Sequence, residues 1–152
     1  MTEDFRDVLA ALITSGARFL VVGAHALGIH GVPRATVDLD VWVEPTADNA
    51  RLVWHALARF GAPLHALGVT ESDFVRPDVV IQFGMPPWRI DVLTGVSGVL
   101  FEDAWNGRLE GEFEGVRVPF LGRAEFIRNK RASGRKKDLG DLESLGADQL
   151  GG

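Results

Sequence analysis

An α/β (α+β) fold, a small mixed β-sheet flanked by helices, is the architecture this sequence predicts. Apolar residues recur at helical spacing near both ends, in Phe5, Val8, Leu9, Leu12 and Ile13 and again in Leu139, Leu142 and Leu145. Between them lie short apolar runs bounded by glycine and proline, the pattern of buried strands. Turn residues at Gly84-Met85-Pro86-Pro87 and at Glu114-Gly115 join such runs into hairpins.

Taken in chain order, the first helix runs from about Phe5 to Ile13, with Gly16 as its stop. Phe19 to Val22 is a buried strand that ends at Gly23, and Ala24 to Ile29 is a short helix closed by Gly31 and Pro33. A strand follows over Val37 to Val43, ended by Pro45. Thr46 then caps a helix from Ala47 to Phe60, whose apolar face is Leu52, Val53, Ala56, Leu57 and Phe60. Leu64 to Val69 reads as a strand and Thr70 to Phe74 as a capped turn. Val79 to Phe83 and Trp88 to Leu93 form the first hairpin, Phe101 to Trp105 a short helix, and Leu109 to Phe113 with Val116 to Phe120 the second hairpin. Glu125 to Lys130 starts a helix that breaks at Gly134, before the leucine-spaced final segment.

The length of 152 residues suits one domain, expected over residues 1–145, with residues 146–152 as a frayed tail. A formal charge of -5 argues against bulk electrostatic binding to nucleic acid but leaves room for a local basic patch. With no cysteine there is neither a disulfide nor a thiolate metal site, which fits a reducing cytoplasm. The polar, acidic start is unlike a signal peptide, and no apolar run is long enough to span a membrane.

The chemistry concentrates in Thr36-Val-Asp-Leu-Asp-Val-Trp-Val43. Residues two apart on a strand share a face, so Asp38 and Asp40 emerge together while Val37, Leu39 and Val41 turn to the other side. Like charges this close repel, and burial disfavours their ionisation. A divalent cation with oxygen ligands relieves both difficulties. Asp91, between Ile90 and Val92, is a third acid on a strand-like run.

Strand, glycine turn, short helix, diacid strand and a later acidic strand together resemble the nucleotidyltransferase superfamily, in particular its minimal bacterial members of toxin–antitoxin and abortive-infection systems. Val22-Gly23-Ala24 takes the place of the family's hydrophobic-Gly-Gly/Ser turn, Asp38-Leu39-Asp40 that of its diacid, and Asp91 that of its third acid. Arg34-Ala-Thr36 and the segment from Lys130 to Asp141 extend the resemblance over nearly the whole chain. One position departs: Ala24 offers no hydroxyl to a phosphate, leaving only the backbone N–H groups of the turn.

The resemblance implies a reaction and a set of roles. A nucleoside triphosphate would lie with its phosphates at Gly23 and Ala24, with Thr36 close by. Asp38, Asp40 and Asp91 would hold two Mg²⁺ ions, or Mn²⁺, and Asp91 would also take the acceptor proton. Arg34 and Lys130, then Arg135, Lys136 and Lys137, would neutralise the triphosphate. A nucleoside monophosphate would pass to a hydroxyl of a partner protein or a tRNA, releasing pyrophosphate. A non-catalytic antitoxin or interaction module, and an enzyme acting on a small molecule such as an antibiotic, are the competing readings.

Several of these residues also have plainer explanations. Asp91 can pair with Arg89 on its own strand face. His25 and His30 suit partly buried structural roles as well as phosphate or base contact, and His55 and His65 share no metal-ligand spacing. Trp42 and Trp88 fit the core or its rim better than a base-stacking platform. The basic run from Arg128 to Lys137 is either a solvated helix end or a phosphate-facing patch, and Asp138 and Asp141 are expected to cap and pair with their basic neighbours.

Overall fold

The structure, a computed structural model, describes residues 2–146. Helix α1 (Thr2–Ser15) leads into β1 (Phe19–Val22), α2 (Gly23–Ile29), β2 (Asp38–Val43) and α3 (Ala47–Phe60). A 3₁₀ turn (Glu71–Phe74) precedes the hairpin of β3 (Val80–Phe83) and β4 (Arg89–Leu93). Then come α4 (Phe101–Asn106), the hairpin β5 (Leu109–Phe113) and β6 (Val116–Phe120), and finally α5 (Arg123–Ser133) and α6 (Lys136–Leu145).

The strands form one mixed six-stranded sheet in the order β3-β4-β2-β1-β6-β5. β1 runs antiparallel to β2 and parallel to β6, and β2 runs parallel to β4. Alternation along each strand feeds two apolar layers. Leu39, Val41 and Val43 of β2 turn to one face and pack with Phe5, Leu9 and Leu12 of α1 and Val53 and Leu57 of α3. Trp42, on the face of the two acids, packs with Leu20, Ala26, Leu27, Phe101 and Phe126 from β1, α2, α4 and α5.

Local chemistry explains the ends of α3. The Thr46 side chain accepts from the Asn49 backbone N–H at the start, and Gly61 closes the helix in the left-handed region at φ 99°. Asn49 is buried and ties three strands of chain together. Its side-chain oxygen accepts from the Arg18 N–H at 2.7 Å, while its amide donates to the carbonyls of Arg18 and Glu44, both at 2.9 Å.

Three expectations need correction. Leu64 to Val69 is not a strand. Pro63 and Gly68 bend it into turns, closed by bonds from Leu67 N–H to the Pro63 carbonyl and from Val69 N–H to the Leu64 carbonyl, so no edge is left to pair. Val37 lies outside β2 and is 41% exposed, so the buried aliphatic side of that strand begins at Leu39. Gly146 belongs to the end of α6, as its left-handed C-cap at φ 75°, and the rest of the expected tail, residues 147–152, lies outside the described residues.

Candidate active site

The three acids come from two neighbouring strands. In the parallel pairing of β2 with β4, Asp40 stands opposite Asp91 and Asp38 opposite Arg89. This register brings Asp91 beside a pair 51 and 53 positions earlier in the chain, on the same face of the sheet. Thr36 fixes the start of β2, because its hydroxyl accepts from the Asp38 N–H at 3.0 Å. In the structure Thr36 therefore sets the backbone of the first acid.

The Gly23 turn lies against the same group. Antiparallel pairing sets Val22 opposite Asp40, so the next residue passes directly beside the Asp40 carboxylate. Gly23 has φ 69°, and a Cβ built there would collide with the Asp40 carboxylate oxygen. Both the backbone conformation and the contact require glycine. Ala24 follows in the first turn of α2.

Crowding shows in the titration of the acids. Burial, then the neighbouring charge of Asp91 and a hydrogen bond with it, push the Asp40 carboxyl up to about 7; Asp38 adds to the rise and Lys137 opposes it. Burial also raises Asp91, with the charge of Asp38 adding to it, and the Arg89 guanidinium and hydrogen bonds with Asp40 and Gln82 only partly oppose the rise. Gln82 stands opposite Asp91 in the β3–β4 hairpin. The Oδ1 atom of Asp91 is buried and accepts no hydrogen bond. Arg89 Nε reaches it at 3.3 Å without the alignment of one, and Arg89 Nη2 lies 3.4 Å from Asp38 Oδ2.

Arg89 therefore bridges the first and third acids. The pairing with Asp91 could be read from the sequence; the second arm, to Asp38, depends on the cross-strand register and could not. As the side chains stand, no group of three or more His, Asp or Glu among the described residues is gathered to hold a metal ion. The donor set still suits a hard cation: clustered carboxylate oxygens, one of them buried and unbonded, with Asp40 held up by burial and by its acidic neighbours.

The basic residues divide. Lys130 is buried, and its ammonium lies 3.2 Å from Asp138 and 3.4 Å from Asp141, both themselves buried. Arg34 also pairs with Asp141, and Arg135 Nε donates to Asp138 at 2.8 Å. Burial raises the Asp138 carboxyl, but hydrogen bonds from Arg135, Ser133 and Lys130 outweigh it and hold it well below the usual carboxylate range. Asp138 also accepts from the Arg135 N–H and so caps α6. Of the expected phosphate partners, Arg34, Lys130 and Arg135 are thus held by carboxylates. Lys137 is the one whose charge acts on Asp40. This network also ties α6, through Arg34, to the loop that enters β2.

His25, His30, Trp42 and Trp88 all make contacts within the fold. His30 Nε2 lies 2.7 Å from the Leu121 carbonyl. Phe5 and Phe113 flank His25 edge-on, and burial lowers its pKa while its Nε2 is left without a partner. Trp42 is buried against Phe101, and Trp88 meets Phe5 edge-on.

With this geometry the chain can be set beside known proteins. No family profile matches it, and no curated protein does. Its fold matches a crystal structure from Thermotoga maritima, provisionally described as a nucleotidyltransferase, with a TM-score of 0.60 at 14% sequence identity. The match covers 97% of this chain and 91% of that one. The two chains thus share one α/β architecture, a mixed sheet flanked by helices. No helix among the described residues is long and apolar enough to cross a membrane.

Proposed function

We propose that this chain moves a nucleoside monophosphate from a nucleoside triphosphate to a hydroxyl on a protein or tRNA, with release of pyrophosphate. The observation that carries this reading is the β2–β4 register, which faces Asp40 with Asp91 and sets Asp38 on the same side, beside the Gly23 turn. In the transfer, a bond forms between the acceptor oxygen and the α-phosphorus while the bond from that phosphorus to the bridging oxygen breaks. Asp91 takes the acceptor proton, its buried Oδ1 being the unbonded oxygen. Gly23 and Ala24 offer backbone N–H groups to the phosphates, and Lys137 supplies positive charge that acts on Asp40. Mg²⁺ or Mn²⁺, held by Asp38, Asp40 and Asp91, would neutralise the triphosphate and lower the acceptor's pKa. The likeness of Arg34-Ala-Thr36 and of the Lys130–Asp141 segment to one branch of the superfamily supports a cytoplasmic role in a toxin–antitoxin or abortive-infection pair.

Calorimetric titration with ATP, CTP, GTP and UTP in the presence of Mg²⁺ tests the reading. Binding of at least one triphosphate is expected, and Asp40→Asn and Asp91→Asn should abolish it. Heat-silent titrations with all four, at concentrations where the protein is folded, would refute it.

A second reading, an interaction module that keeps the fold without turnover, is favoured by Arg89, which already bridges Asp38 and Asp91. Under it, partner binding should survive Asp38→Asn and Asp40→Asn unchanged, and no partner should gain the mass of a nucleotide.

A further inference from the structure

The two edges of the sheet differ in kind. β5 carries Glu110 and Glu112 on its border strand, charges that discourage another strand from adding there. β3, at the opposite border, reads Val80-Ile-Gln-Phe83 and holds no charge at all. The nearest charge before it, Asp78, is turned back onto its own chain, where its carboxylate packs against Gly95.

The backbone of β3 is open as well. Thr94 N–H donates to the Val79 carbonyl at 3.0 Å, which fixes the phase of the β3–β4 ladder. Residues 79, 81 and 83 then direct their N–H and C=O groups to β4, and Val80 and Gln82 direct theirs outward. Val80 is 55% exposed, and Met85, just beyond the strand, is 71% exposed.

We propose that this edge pairs with β3 of a second copy of the chain, antiparallel, about a two-fold axis at Ile81. What singles out a second copy is the self-complementarity of the segment. In that register Val80 faces Gln82 of the other copy, so the outward N–H and C=O groups of both satisfy each other. Ile81 faces Ile81 and Val79 faces Phe83, so apolar residues meet apolar residues along the seam. Val79, Ile81 and Phe83 all belong to the α1–α3 side of the sheet, where they join the larger apolar core. Pairing would make the two cores continuous beneath the seam. A groove of about 790 Å³, bordered by Phe60, Pro63, Phe83 and Met85, opens beside the end of β3. The interface would also border the acidic site, because Gln82 stands opposite Asp91.

Light scattering after size exclusion, over a range of concentrations, tests the pairing and needs no nucleotide. The unaltered chain is expected at twice the monomer mass. The double variant V80K/Q82K sets lysine against lysine across the seam and should halve that mass while leaving the circular dichroism spectrum native. The chain has no cysteine of its own, so V80C/Q82C should give a clean disulfide-linked dimer on mild oxidation. A monomer mass at every concentration overturns the proposal, even if the chain captures a synthetic peptide of residues 77–85. So does a dimer that V80K/Q82K leaves intact and V80C/Q82C fails to cross-link.

Discussion

At Gly23 a single missing side chain decides whether the site can form. Its φ of 69° and its contact with Asp40 leave no room for Cβ. Gly23→Ala should cost about 1–3 kcal/mol in urea unfolding from backbone strain alone. It should also lower nucleotide affinity, because Asp40 must move. The glycine was visible in the sequence as a turn residue; its close approach to Asp40 was not, since that depends on which β2 residue stands opposite Val22. Asp40 itself makes a pH prediction. Its carboxyl is raised from 3.8 to about 7, so between these values the folded chain holds a proton that the unfolded chain has lost. Its contribution to metal-free stability is therefore full below about pH 4 and is lost as pH rises towards 7. Urea titrations of Asp40→Asn across that window should show this component gone, with a gain over the unaltered chain near neutrality. Asp138 has the opposite sign. Its depressed pKa gives stability that is present at neutral pH and lost in acid, below the usual carboxylate range. Arg89 adds a prediction about cations. Its two partly exposed ion pairs are worth about 1 kcal/mol together. Arg89→Gln frees both acids and should tighten Mg²⁺ binding roughly fivefold by calorimetry; unchanged affinity would mean that the guanidinium does not compete with a metal.

At the scale of elements, periodicity and capping chemistry were enough wherever the signals were local. Thr46 marked the start of α3 and its apolar spacing the extent to Phe60, and Glu114-Gly115 marked the turn between β5 and β6. The segment from Leu64 to Val69 misled because its apolar content resembles a strand, while Pro63 and Gly68 let the chain satisfy its own backbone in turns. The α5–α6 joint was half legible. The pairing of Asp138 and Asp141 with basic neighbours follows from their spacing, but the burial of Lys130 between them does not. Lys130→Met should cost about 3 kcal/mol by chemical denaturation, because buried carboxylates lose a partner. Arg34 and Arg135 remain on Asp141 and Asp138, so the helices should stay docked rather than separate.

For the molecule as a whole, the decisive fact is non-local. The sequence supplies three acids on strand-like runs; their convergence depends on β4 lying parallel to β2 in one particular register. A slip by one residue would send Asp91 to the opposite face and leave the pair alone. Nothing in local propensity encodes that alignment. It is imposed by burying Leu39 and Val41 with Ile90 and Val92 in the α1–α3 core. The same dependence makes ligand-linked stability a measure of the assembled site. Triphosphate with Mg²⁺ should raise the thermal midpoint of the unaltered chain and leave those of Asp38→Asn and Asp91→Asn unmoved.

The two glutamates on β5 have a further consequence. A sheet receptive at one border and guarded at the other stops growing after one addition, since the united sheet would present Glu110 and Glu112 at each end. Replacing both with valine should remove that limit, and the chains should then string into long, light-scattering polymers.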